Sequence, residues 1–177
     1  MIYYQKLDIL HHTHISNLLF EYVSNHTSIL KTKDFWTTIN NNHIFENIPE
    51  FKLVFDLLNL DVKYIAIIYV DEHKDVHDTI HVDPEKTIRV LWPIKNCEGS
   101  YTKFYDLNGS KPIYTETPAG VPYFAVDHPE NCIEVDSIEL IYPILFNPYT
   151  PHGIQVNPTC DEYRITATIG FNNPPTF

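Results

Sequence analysis

The sequence predicts a mainly β fold, a sandwich or small barrel with N-terminal helices packed on one side. Three observations predict it. From Val62 onward, short runs rich in Ile, Val, Tyr and Thr recur, with Pro, Asn and Gly between them. Thirteen prolines against five glycines indicate strands joined by stiff turns. Residues 1–60 instead space their apolar side chains at helical intervals, and helices followed by strands fit helices on one face of a β core.

The elements follow in order. His14 to Val23 puts Ile15, Leu18, Leu19 and Tyr22 on one face, which predicts a helix. Asn47-Ile48-Pro49-Glu50 has capping-box spacing, and proline is tolerated in a first turn. A helix is therefore expected over 49–59, with Phe51, Val54, Phe55 and Leu58 as its apolar stripe. Strands are predicted over 63–70, 87–92, 100–105, 113–115 and 123–126, then over 138–146, 153–156 and 163–171. In Arg164-Ile165-Thr166-Ala167-Thr168-Ile169 the alternation puts Arg164, Thr166 and Thr168 on one face and the apolar residues on the other. No repeat, linker or low-complexity tract interrupts the 177 residues, so one domain is expected, with 1–60 as helical support and 62–171 as the core.

Bulk properties narrow the function. A formal net charge of -11 works against a phosphate backbone, so duplex nucleic acid is not an expected partner. A small molecule, or a basic peptide, fits the charge better, with a small molecule or a peptide side chain as the expected substrate; oligomeric state is not indicated. Cys97, Cys132 and Cys160 are odd in number, widely spaced and without a C-x-x-C pair. This argues against a zinc-thiolate site and a disulfide framework, and suits a reducing cytoplasm. Met1 to Lys6 lacks a charged segment followed by an apolar run, so no signal peptide is expected. The most apolar stretch, Tyr64 to Val70, is too short to span a membrane.

The residues that carry chemistry lie in separate stretches. His81-Val82-Asp83 ends a predicted strand and stops at Pro84. Residues two apart on a strand share a face, so His81 and Asp83 can chelate one ion while Val82 points into packing. His152 sits in Asn147-Pro148-Tyr149-Thr150-Pro151-His152-Gly153, where two prolines and a glycine restrict the backbone. Two histidines and one carboxylate on one face of a metal leave its other positions open, an arrangement suited to a non-haem Fe(II) centre. Arg164 and Thr166, two apart on one face, can grip a carboxylate, the guanidinium bidentately and the hydroxyl as a further donor. A second H-x-D, His73-Lys74-Asp75, lies in a charged run and reads as a solvated turn. His11-His12-x-His14 reads as a solvated helix start and His128-Pro129-Glu130 as surface. Tyr101 and Lys103 lie on a strand that could border the pocket, and Trp92 is expected to fill the core.

His81-Val82-Asp83, His152 and Arg164-Ile165-Thr166 together resemble the H-x-D…H…R-x-S/T signature of the Fe(II)/2-oxoglutarate-dependent oxygenases. Residues 89–105, with Pro93-Ile94-Lys95-Asn96, and the stretch from Pro151 to Arg164 are similar to small members of that superfamily, phage-encoded ones included. The resemblance covers roughly Val62 to Phe171. It implies a double-stranded β-helix, a jelly-roll or cupin-like barrel, with His81 and Asp83 from one sheet and His152 from the other. It implies Fe(II) held by His81, Asp83 and His152, and 2-oxoglutarate held by Arg164 and Thr166. It further implies a dioxygenase, most simply a hydroxylase, that couples 2-oxoglutarate decarboxylation to oxidation of a C–H bond. Many small relatives carry an asparagine on the strand after H-x-D, where this chain has Leu91-Trp92. Two other readings remain open on the residues alone. One is a non-catalytic jelly-roll module for binding or structure; the other is a cupin-like metal enzyme that does not use 2-oxoglutarate.

Overall fold

In chain order the elements begin with β1 (Tyr4–Lys6), α1 (His12–His26), α2 (Ile29–Thr32), β2 (Trp36–Ile39), α3 (Asn41–Asn47) and α4 (Pro49–Leu57). They continue with β3 (Val62–Val70), β4 (His81–Val82), β5 (Arg89–Lys95), β6 (Tyr101–Asp106), β7 (Pro112–Glu116) and β8 (Pro122–Val126). The last four are β9 (Ile133–Glu139), β10 (Ile144–Phe146), β11 (His152–Gln155) and β12 (Arg164–Phe171). This computed structural model describes residues 2–33, 35–70, 80–116, 120–157 and 163–176. His73-Lys74-Asp75 and Cys160 lie outside the described residues.

The strands form two six-stranded sheets, in the orders β1-β10-β5-β12-β3-β2 and β7-β8-β4-β11-β6-β9. Every pairing is antiparallel. The fold is thus mostly β, two packed antiparallel sheets with few helices, as in a β-sandwich or jelly roll. Among the described residues no helix is long and apolar enough to cross a membrane.

Alternation in the first sheet decides where everything else goes. Ile65, Ile67 and Tyr69 of β3, Val90, Trp92 and Ile94 of β5, and Ile165, Ala167 and Ile169 of β12 share a core with the helices. Against them pack Ile15, Leu19, Tyr22 and Val23 of α1, and Phe51 and Phe55 of α4. Trp92 is fully buried here, edge-to-face with Phe51 at 5.1 Å, and its Nε1 donates to Ser16 Oγ at 3.0 Å. It fills the core, as its apolar bulk predicts. The alternate residues, Ile68, Arg89, Leu91, Arg164, Thr166 and Thr168, face the second sheet. There Leu91, Phe104, Ile138, Leu140, Ile144 and Phe146 form a second apolar cluster.

Four expectations need correction. Residues 1–60 are not all helical: β1 and β2 form the two edges of the first sheet. The capping box before α4 does not form, because α3 runs to Asn47 and the Asn47 amide donates back to His43 O at 2.8 Å. Ile48 is the boundary residue instead, and Pro49 starts the helix without side-chain capping. The strand predicted over 138–146 is two strands in different sheets, divided around Pro143, which has no N–H for a ladder. His81 and His152 come from one sheet, not two, as β4 and β11 pair directly with His81 opposite His152.

Pro93 lies in a central strand, where proline is normally excluded. The register of β12 against β5 slips there, Ile165 facing Lys95 but Thr166 facing Pro93, so Ile94 is an extra residue. A bulge tolerates the missing donor, and Pro93 O accepts from Ser16 Oγ at 2.6 Å. This irregularity sits beside Arg164 and Thr166.

Candidate metal centre

Hydrogen bonds outside the ladder lock the local backbone around each ligand candidate. Asn147 Oδ1 accepts from Tyr149 N at 3.1 Å, and Asn147 O accepts from Thr150 N at 3.2 Å, closing the turn before β11. The same segment ties down Asp83, whose N–H donates to Pro148 O at 2.9 Å. His152 then enters β11 buried, at 5% exposure, and its Nδ1 lies 2.9 Å from Thr150 O. A carbonyl only accepts, so Nδ1 carries the proton and Nε2 presents its lone pair. A backbone carbonyl in this role is the usual way to orient a metal-binding imidazole.

His81, Asp83 and His152 come together as read from the sequence. One donor atom from each lies within 4.8 Å of the others. The two imidazole rings are 4.2 Å apart between centroids, and His81 Nε2 is 3.5 Å from Asp83 Oδ1. Val82 is buried and turns to the opposite face.

A residue that sequence reasoning overlooked completes the group. Arg89, at 6% exposure, donates through Nη1 to Asp83 Oδ2 at 2.7 Å and through Nη2 to Glu85 at 3.3 Å. It reaches from the first sheet to the second, occupies one carboxylate oxygen and leaves Oδ1 on the side of His81. The signal for it was available: with Val90 and Trp92 facing the helices, Arg89 has to face the sheet gap. Burial works to raise the Asp83 carboxyl, but His81, His152 and Arg89 outweigh it and hold it well below the usual carboxylate range. Of these, Arg89 is the permanent charge.

A cavity of about 250 Å³ adjoins this group between the sheets, and Arg164, Thr166 and Thr168 line it from the first sheet. Arg164 is 1% exposed, and among the described residues none of its three guanidinium nitrogens has a hydrogen-bonded oxygen partner, the Cys97 thiol being its polar neighbour. Burial pushes its pKa down, with Cys97 opposing, yet an arginine keeps its charge. The Cys97 thiol beside it is pushed up by burial and donates to Lys95 O and Ile165 O at 3.3 Å, so it brings no counter-charge. Thr102 and Thr168 also line the cavity with buried, unpartnered hydroxyls. Tyr101 and Lys103 do not border it: they alternate with inward-facing Thr102 and Phe104, and Lys103 Nζ is instead paired with Glu134 at 2.7 Å. His128 pairs with Glu130 on the surface, and His11 and His14 are exposed at the start of α1.

Burial, then the charge of His81, holds His152 down to about 4, below its ordinary 6.5. A folded-state pKa below the unfolded one means the unfolded chain takes up the proton first. The stability is therefore complete above pH 6.5 and lost as pH falls towards 4. Between pH 7 and 5 the metal-free protein should lose about 2 kcal/mol on this account, read as a falling urea midpoint in the presence of chelator. His152→Asn should flatten that slope; an unchanged slope would place its origin in another group.

No family model and no curated protein matches the chain. Among solved structures it is similar to the non-heme alpha ketoglutarate dependent carbocyclase SnoK from nogalamycin biosynthesis, at 11% identity and a TM-score of 0.48. The match covers 94% of this chain and 78% of that one. A likeness this distant says nothing of what this chain binds or does.

Proposed function

We propose that the protein is an Fe(II)- and 2-oxoglutarate-dependent oxygenase, most simply a hydroxylase, built as one domain on a double-stranded β-helix. The observation that carries the reading is the Arg164 guanidinium, buried in the cavity that adjoins His81, Asp83 and His152 and without a counter-charge among the described residues. A buried cation with no counter-charge is costly, and a ligand carboxylate is the group that would relieve it. A metal enzyme without 2-oxoglutarate leaves this cation unexplained. A non-catalytic module leaves both it and the three converging donors unexplained.

The residues fit both groups. His81, Asp83 and His152 would hold the iron on one side only, leaving positions for co-substrate and dioxygen. Arg164 would take the far carboxylate of 2-oxoglutarate bidentately, with Thr166 as further donor. Arg89 would keep Asp83 ionised and turned so that Oδ1 serves the metal. The apolar walls of Ile68, Leu91 and Phe146 would keep water from the reacting centre. When bound, Fe(II) would activate dioxygen, the oxidant, and 2-oxoglutarate would supply two of the electrons that reduce it on going to succinate and carbon dioxide.

Anaerobic titration with Fe(II) and then 2-oxoglutarate tests this. A visible charge-transfer band that needs both additions is expected, and succinate should appear once air is admitted. Iron binding without a band on adding 2-oxoglutarate would favour the cupin-like reading. No iron binding at all would leave a binding module.

A further inference from the structure

The cavity's charges balance in a way that restricts what else it can hold. Among the described residues, its ionisable histidine, acidic and arginine side chains are His81, Asp83, His152, Arg89 and Arg164. On the reading above, three are committed to the metal and Arg164 to the co-substrate. Arg89 is already neutralised by Asp83 and Glu85. Among the described residues nothing charged remains for a second ligand.

What the described residues add at the opening is apolar. Phe35 and Trp36 contribute from the edge of the first sheet, and Val121, Pro122 and Tyr123 from the start of β8 in the second. This wall adjoins both parts of the centre. The Tyr123 ring stands edge-on to His81 at 6.0 Å. Trp36 lies opposite Ile68, which lies opposite Thr166, so Trp36 is two strand spacings, about 10 Å, from the co-substrate site.

We propose that the prime substrate presents an uncharged, apolar group, most simply a ring, to the opening between Trp36 and Tyr123. A charged group there would surrender its hydration with no partner to replace it. A ring instead gains offset or edge-on contact with both aromatic side chains. The proposal rests on the functional reading for the commitment of Arg164.

Three probes of one shape test it: indole, indole-3-acetate and tryptamine, neutral, anionic and cationic. Binding is measured by saturation-transfer NMR and equilibrium dialysis on the protein loaded with Co(II) and 2-oxoglutarate, so that no turnover occurs. Indole should bind at least tenfold more tightly than either charged analogue. Trp36→Ala and Tyr123→Ala, on opposite walls, should each weaken it about fivefold or more while leaving Co(II) affinity unchanged. A charged probe that binds as well as indole overturns the proposal. So does indole affinity that survives both substitutions. If wild-type protein fails to bind 2-oxoglutarate, the functional reading falls, and the three probes on the Arg164→Met protein, in which no uncommitted guanidinium can hold the anion, decide the substrate proposal by the same criteria.

Discussion

Replacing Arg164 by Met should abolish 2-oxoglutarate binding and, at the same time, make the ligand-free protein more stable. The two effects have one cause. Arg164 is buried without a counter-charge among the described residues, so the ligand-free site carries much of the desolvation cost of a guanidinium. Met fills similar volume with no charge, and such exchanges of buried charge for apolar side chains often stabilise by about 1–4 kcal/mol. Losing the charged partner of a buried carboxylate costs about 2–5 kcal/mol in affinity, from about 30-fold to several thousand-fold. Fe(II) affinity should hardly move, since Arg164 is not among the three clustered donors. Arg164→Lys keeps a charge but loses the planar fork, so its affinity should fall between wild type and Met. Urea midpoints and 2-oxoglutarate titrations on the three proteins check this. A less stable Met variant, or one that still binds 2-oxoglutarate, would show that the guanidinium serves packing.

Asp83→Ala should lose metal and stability together. Removing a ligand should cost more than the 10- to 100-fold typical of losing a residue that merely orients one. It also strands Arg89, whose 2.7 Å contact with Asp83 is buried. Breaking a buried pair from one side costs about 3–5 kcal/mol, and the remaining contact with Glu85 puts this case at the lower end. Arg89→Met alone should lower Co(II) affinity 10- to 100-fold, because Asp83 is then free to turn. The double variant Asp83→Ala/Arg89→Met should recover most of the lost stability but none of the metal affinity. Recovery of neither would mean that Asp83 and Arg89 are not coupled, and the role given to Arg89 would fail.

Much of this was legible in the chain because it depends on local pattern. The alternation along β12 placed Arg164, Thr166 and Thr168 on one face, and the structure keeps them together on the cavity side. The two-residue spacing of His81 and Asp83 and the restricted backbone before His152 marked those three as candidates, and their donors converge. Burial of Trp92 followed from its size among apolar neighbours. Where the local pattern gave out, so did the reading. Residues 36–39 make a run of only four before Asn40, too short to show a period, and pairing with β3 makes them an edge strand. The run over 138–146 is apolar but for Glu139, so its periodicity did not reveal that it changes sheet around Pro143.

The sequence by itself determined the mostly β class of the fold, the face on which alternating residues of strands such as β12 lie, and the residue types able to hold a metal and a carboxylate. These follow from backbone period and side-chain chemistry, which act within a few residues. Only the tertiary structure decided which strands became neighbours. It put His81 opposite His152 within one sheet, brought Arg89 across the gap to Asp83, and left Arg164 buried with no counter-charge among the described residues. Those facts depend on register and sheet packing between segments far apart in the chain, where no local spacing specifies the partner.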